Sequence, residues 1–230
     1  MKSDWPETLA QRIDQVTAVE SNRDKIAVLD EVGGFSVTYA NLLQRVEAIG
    51  EALINAGINT PGSKVLVFLQ ASSDWVCSML AIMRIGGIYV PLDLRNPLSR
   101  LARIAQDCQP SCILVDDTTV ENAAQLNVAA KTININEVGA KPQATVPNRA
   151  RGDSIAAIMY TSGSTGTPKG ILVKHSGLRN QIEGYTKTWN LGAECVLQQS
   201  AFTFNHSLDQ IFTGLVSSNH CHVSVILLEV

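Results

Sequence analysis

The chain has 230 residues, 45% of them hydrophobic and 17% charged, with a formal net charge of −3. That composition is ordinary for a soluble α/β protein and excludes a disordered or collagen-like chain. The mild negative charge gives no basis for a nucleic-acid or anionic-membrane surface, and the longest apolar stretches are too short to cross a bilayer. Five scattered cysteines, an odd number, read as reduced and mostly buried thiols of a cytoplasmic protein.

The N-terminal run Met1-Lys2-Ser3-Asp4-Trp5-Pro6 lacks the apolar core of a signal peptide. Short strands are predicted at Lys25–Asp30 and Phe35–Val37, around the turn Val32-Gly33-Gly34. Thr38 then caps a helix whose apolar positions Leu42, Val46, Ile49 and Leu53 recur at helical spacing, and Gly57 stops it. Lys64–Leu69 is a continuous apolar strand of the kind buried in a parallel sheet. Asp74–Ile85 reads as a helix apolar nearly all round and therefore interior. A strand at Tyr89-Val90, a helix over Leu98–Asp107 and a strand at Cys112–Val115 continue the alternation. This β–α repetition predicts a doubly wound α/β fold with mostly parallel sheets flanked by helices.

Residues 139–153 change character, with Gly139, Pro142, Pro147, Arg149 and Arg151 and little periodicity. They are predicted to link a first α/β subdomain, 1–138, to a second segment, 154–230. That segment is expected to hold strands at Ile155–Tyr160, Gly170–Val173, Cys195–Gln199 and Val223–Leu228. Helices are expected at Ser176–Thr188 and Ser207–Val216. His220-Cys221-His222 is not read as a metal site: neighbours on a strand point to opposite faces, and no second ligand pair is suitably spaced.

The most informative run is Tyr160-Thr161-Ser162-Gly163-Ser164-Thr165-Gly166-Thr167-Pro168-Lys169-Gly170, entered directly from a buried-looking strand. Glycines let successive N–H groups turn inward, hydroxyls add donors and Lys169 adds charge, which together suit a phosphate. The run departs from the P-loop, because Gly170 follows Lys169 and Pro168 stands where a glycine is required. A flexible Gly/Ser/Thr linker is the competing reading, and the strand context and embedded Pro-Lys-Gly weigh against it.

The run resembles the phosphate-binding signature of the adenylate-forming (AMP-binding) ligases. Four further stretches resemble landmarks of the same superfamily in its order. Phe35–Leu42 is similar to an early "TY-x-x-L" core, and Gly86–Asp93 with Pro97 and Arg100 to the "GG-x-YVP(L/I)D" core. His175, Gly177, Leu178 and Asn180 resemble "H-x-G-L-x-N", and Phe204-Asn205-His206-Ser207 resembles "F-D-x-S" with Asn for Asp. The pattern is that of adenylation domains of fungal nonribosomal peptide synthetases and polyketide–peptide hybrid synthases, which serve secondary-metabolite biosynthesis.

The resemblance implies ATP-dependent activation of a carboxylic acid to an acyl-adenylate, with ATP and Mg²⁺ as cofactors. Thr161, Ser162, Gly163, Ser164, Thr165, Gly166 and Lys169 would bind the phosphates, and Asn205, His206 and Asp209 would line the acid pocket. The expected partners are a small carboxylic acid and a synthetase carrier-protein domain. The family's aspartate at Asn205 pairs with an amino-acid ammonium. An amide supplies no such charge, which favours aryl, hydroxy or keto acids, or else a decayed site. As a residue read alone, Asn205 is also a good helix N-cap.

The family's ribose-binding aspartate, its Mg²⁺ and adenine residues and its lid lysine have no counterpart in these 230 residues. The expectation is therefore a truncated adenylation domain, inactive alone, with no catalytic residue assigned. A non-catalytic nucleotide-binding or interaction module is the alternative.

Overall fold

A computed structural model describes residues 4–31, 33–162, 168–191, 195–216 and 225–227. Helix α1, Leu9–Ala18, opens the chain and is absent from the sequence reading. Its signal is nevertheless a capping box: the Thr8 hydroxyl accepts from Gln11 N at 3.2 Å, and the Gln11 side chain accepts from Thr8 N at 3.3 Å. Strands β1, Ile26–Asp30, and β2, Phe35–Thr38, form a hairpin through Gly34 at φ 71. Helix α2, Tyr39–Asn55, begins on Thr38, whose hydroxyl accepts from Asn41 N, and ends before Gly57 at φ 83.

Then follow β3, Lys64–Phe68, α3, Ser73–Arg84, β4, Ile88–Pro91, α4, Leu98–Cys108, and β5, Cys112–Val115. A short α5, Val120–Ala123, precedes β6, Lys131–Asn134. Beyond residue 153 come β7, Ile155–Ser162, β8, Pro168–Lys174, α6, His175–Thr188, β9, Val196–Gln198, α7, Asn205–Val216, and β10, Val225–Leu227.

The strands form two sheets. The six-stranded sheet runs β6-β5-β3-β4-β7-β8 and is parallel except for β8. The four-stranded sheet runs β2-β1-β10-β9, with β10 parallel to both neighbours. Residues 139–153 carry no helix or strand, and both sheets take strands from either side of them. This segment is tied down by Arg84 Nε donating to Val146 O at 2.9 Å and by Gln143 N donating to Glu51 at 2.8 Å.

Helix α3 contacts β1 of one sheet and β3 and β4 of the other, and every residue in it except Asp74 is buried. A helix apolar nearly all round is thus explained by two covered faces. Its first turn is capped from the other sheet: the Asp30 carboxylate, at the end of β1, accepts from Ser73 N at 2.7 Å. The six-stranded sheet is covered on both faces. Val65 and Val67 enter the larger core with α3, while Leu66 and Phe68 enter a second core under Leu101 and Ile104 of α4. A strand buried on both faces shows no alternation, which is why β3 reads as one apolar run.

Two arginines, Arg45 half-buried and Arg84 buried, lock the helices. Arg45 of α2 makes a bidentate pair with Asp74 of α3 at 2.8 and 2.9 Å and donates to the carbonyls of Ile135 and Val138. Arg84 of α3 pairs with Asp14 of α1 and with Glu47 of α2. Cys77, Cys108 and Cys112 are buried thiols, and burial pushes them up, Cys108 to about 11 and Cys112 to about 12. Such thiols are inert at neutral pH. His220, Cys221 and His222 lie outside the described residues.

Candidate nucleotide and acid site

β7 and β8 are the two arms of a hairpin that carries the phosphate-loop run. Their register pairs Tyr160 with Gly170, Thr161 with Lys169 and Ser162 with Pro168. The Thr161 hydroxyl lies 3.5 Å from Lys169 O across the rung. Thr161 and Lys169 are therefore brought together at the hairpin end. Gly163, Ser164, Thr165 and Gly166 lie outside the described residues.

Because β7 is parallel to β4, this end sits at the carboxyl edge of the six-stranded sheet. Ligands of open α/β sheets bind outside that edge. The same edge opens a cleft of about 410 Å³, lined by residues just past β3, β4 and β9. This volume suits a small molecule. The apolar floor is Trp75 stacked on Phe202, with ring centroids 4.5 Å apart at 18°. Trp75 Nε1 donates to the buried Tyr89 hydroxyl at 2.6 Å, which fixes the indole. Gln70, Gln198, Ser200 and Thr203 supply polar groups. Asp93 and Arg95 stand at the rim in a bidentate pair at 3.0 Å. Burial pushes the Asp93 carboxyl up, but its hydrogen bonds from Arg95 outweigh that and hold it below its ordinary value.

Helix α7 starts two residues beyond the cleft's last lining residue, Thr203. Asn205 and His206 are exposed at its first turn, and neither they nor Asp209 line the cleft itself. Asp209, one turn on, is 5% exposed. Its Oδ2 lies 3.4 Å from His206 Nδ1, and its Oδ1 has no hydrogen-bond partner among the described residues. Burial raises the Asp209 pKa, and His206 pulls it part of the way back.

The stretch after β8 is chiefly structural. His175 and Leu178 are buried, and His175 Nε2 has no partner among the described residues. Burial lowers the imidazole to about 4, so it is neutral at pH 7. Three features escape the sequence reading: the Trp75–Phe202 floor, the Trp75–Tyr89 bond, and a hydrogen bond from Tyr160 to Asp107. Each joins residues on different elements, and no local pattern announces it.

Among the described residues, no group of three or more His, Cys, Asp or Glu could hold a metal. A donor set of hydroxyl and ammonium, by contrast, fits phosphate oxygens. The family profile for AMP-binding enzymes matches residues 16–225. The chain belongs to the AMP-binding enzyme family. It is 61% identical over 222 residues to the hybrid PKS-NRPS synthetase thnA of Trichoderma harzianum, covering 96% of this chain and 5% of that protein. It is 54% identical over 224 residues to traA of Penicillium crustosum, covering 96% of this chain and 6% of that one. The AMP-binding chain thus spans about a twentieth of these relatives.

Among solved structures, the nonribosomal peptide synthetase FmoA3 with α-methyl-L-serine-AMP bound aligns at TM-score 0.83 and 22% identity, over 96% of this chain and 24% of that one. The Klebsiella oxytoca NpsA N-terminal subdomain, in complex with 3-hydroxyanthranilyl-AMSN, aligns at TM-score 0.77 and 23% identity, over 95% and 53%. These likenesses establish the adenylate-forming fold. Among the described residues, no helix is long and apolar enough to cross a membrane.

Proposed function

We propose that this AMP-binding chain supplies the phosphate-holding hairpin and the first wall of the acid pocket in an adenylation domain of a polyketide–peptide hybrid synthetase. The observation that carries the reading is the Thr161–Lys169 rung, at the same carboxyl sheet edge as the 410 Å³ cleft. ATP supplies an electrophilic α-phosphorus, which the acid's carboxylate attacks with release of pyrophosphate. The Lys169 ammonium and Thr161 hydroxyl act on the phosphate oxygens, where charge builds in the transition state. Loop residues Ser162 to Gly166 would add donors. The Trp75–Phe202 floor takes the apolar body of the acid and excludes water.

The acid is one without an α-ammonium: a hydroxy, keto or aryl acid. Asn205 is neutral, and Asp209 is buried one turn further on with its Oδ2 3.4 Å from His206 Nδ1, so the helix end offers an ammonium no exposed carboxylate. An exposed His206 and the Asn205 amide suit hydroxyl or carbonyl oxygens better. Mg²⁺ is the family's expected cation, but no step here is assigned to it. The activated acid would pass to a carrier-protein domain, in the cytoplasm, without nucleic-acid or membrane contact.

The test joins residues 1–230 in frame to the remainder of a hybrid-synthetase adenylation domain and compares acids in pyrophosphate exchange. Hydroxy, keto or aryl acids should drive exchange, and Asn205→Asp should shift preference toward α-amino acids. Strong exchange with α-amino acids that ignores this substitution would refute the substrate class.

A further inference from the structure

Tyr160 is the last residue of β7 before the Thr161–Lys169 rung, and it touches three elements at once. Its ring lies across Gly170 of β8: a Cβ built there would stand 3.3 Å from Tyr160 Cζ and 2.8 Å from Ile158 Cγ2. Its hydroxyl donates to Asp107 Oδ2, in the last turn of α4, at 2.5 Å. Burial, and then Asp107, push the phenol pKa well up, so the hydroxyl keeps its proton as a donor. β8 is the last strand of its sheet, with Ile171 54% and Leu172 61% exposed. An edge strand has no outer neighbour to fix its place. The rung at its end is therefore held by β7 on one side and by helices α4 and α6, which both contact β8. The phenol ties β7 by a side-chain bond to one of these helices, α4, which packs on the sheet's second core.

We propose that Tyr160 is a positioning residue, which through Asp107 and the bare Gly170 backbone sets the Thr161–Lys169 rung toward the nucleotide phosphates. The inference rests on the reading of that rung as phosphate-binding. A displacement of about 1 Å at a positioned group is enough to cost a large factor in function. Glycine at position 170 follows from the same geometry, since any side chain there meets the Tyr160 ring and Ile158 together.

The test uses residues 1–230 joined in frame to the rest of an adenylation domain, with MgATP as the probe and amide exchange read across residues 160–170. Tyr160→Phe keeps the ring and removes the hydroxyl, and Asp107→Ala removes the acceptor. Each should weaken MgATP binding about fivefold to tenfold, the scale of losing one typical hydrogen bond. Each should also speed exchange at Thr161 and Lys169 by a similar factor, with exchange in β3 unchanged. Asp107→Asn, which keeps an acceptor oxygen, should bind within about twofold of the parent. The double variant Tyr160→Phe/Asp107→Ala should be no worse than either single one.

Lys169→Ala separates the two layers of the argument. If it abolishes binding while Tyr160→Phe and Asp107→Ala bind and exchange like the parent, the positioning role is overturned and the phosphate site stands. If the parent does not bind MgATP, or Lys169→Ala has no effect, the phosphate reading fails, and the exchange arm still decides whether Tyr160 holds the rung. Faster exchange spread equally through β3 would reduce Tyr160 to a general packing residue and overturn the proposal.

Discussion

The two sheets of this chain are built from the same strand types but by different routes. In the six-stranded sheet most neighbours are consecutive in the chain, as β3 and β4, β5 and β6, and β7 and β8 are. In the four-stranded sheet Val28 of β1 pairs with Val225 of β10, near the other end of the chain. Contacts of such separation cost more chain entropy before they return any burial. The comparison teaches that the phosphate hairpin stands on a sheet with mostly short-range pairings, whereas α7, with Asn205, His206 and Asp209, packs beside strands β9 and β10, the second of which pairs across nearly the whole chain. The Tyr39 hydroxyl, which donates to Leu215 O at 2.9 Å, ties that part back to α2.

The largest expected effect breaks that part. Phe212 is fully buried in α7, and Phe212→Ala should cost about 3–5 kcal/mol. Denaturant unfolding should show that loss, and amide exchange should rise first in β1 and β9. Leu66→Ala, in the six-stranded sheet, should cost about 2–5 kcal/mol and raise exchange in both sheets. Equal exchange patterns in the two variants would erase the distinction.

Arg84→Ala sharpens it, since Arg84 joins α1, α2 and α3, which cover the junction. Removing it strands the Glu47 carboxylate and the Val146 carbonyl, while Asp14 keeps its hydrogen bond from Asn148, at a cost of about 3 kcal/mol. A thermal midpoint unchanged within about 2 °C would show that the junction does not depend on it.

His175 gives a pH test of similar or smaller size. Its imidazole is held at about 4 in the folded chain against an ordinary 6.5, so the unfolded chain takes up the proton first. Stability from this residue is therefore full above 6.5 and is lost as pH falls from 6.5 toward 4, by up to ~3 kcal/mol. Carboxyls raised by burial, Glu47 and Asp209, act in the opposite direction over that range, so the comparison needs a variant. His175→Gln should flatten the curve relative to the parent, and identical slopes would contradict the buried neutral imidazole. The smallest effect is at a cap: Thr38→Ala should cost about 1 kcal/mol by removing the acceptor for Asn41 N.

Much of this was legible in the sequence because local chemistry fixes it. Thr38 and Gly57 bound α2 as their side-chain and backbone preferences require, and α3 is as buried as its uniform apolarity predicts. Helix α1 was equally legible, since Thr8 and Gln11 carry a capping box, but it goes unread without attention to that pair. The division into two sheets was not legible, because the pairing of β1 with β10 leaves no local mark. The site divides in the same way. The hydroxyl- and glycine-rich run with Lys169 announces itself. The cleft, by contrast, is lined by Gln198, Ser200 and Phe202, ahead of the motif that resembles the acid pocket, and by Trp75 from another helix. Side chains that meet only through tertiary packing, such as Tyr160 with Asp107, follow no spacing rule.

The most direct measurement of the central claim is carboxylate-dependent ATP–pyrophosphate exchange by residues 1–230 joined in frame to the rest of an adenylation domain, with and without Lys169→Ala. The account predicts exchange driven by an acid lacking an α-ammonium, reduced on the order of a hundredfold or more when Lys169 is removed. Exchange that proceeds at the parent rate in the Lys169→Ala protein would contradict it.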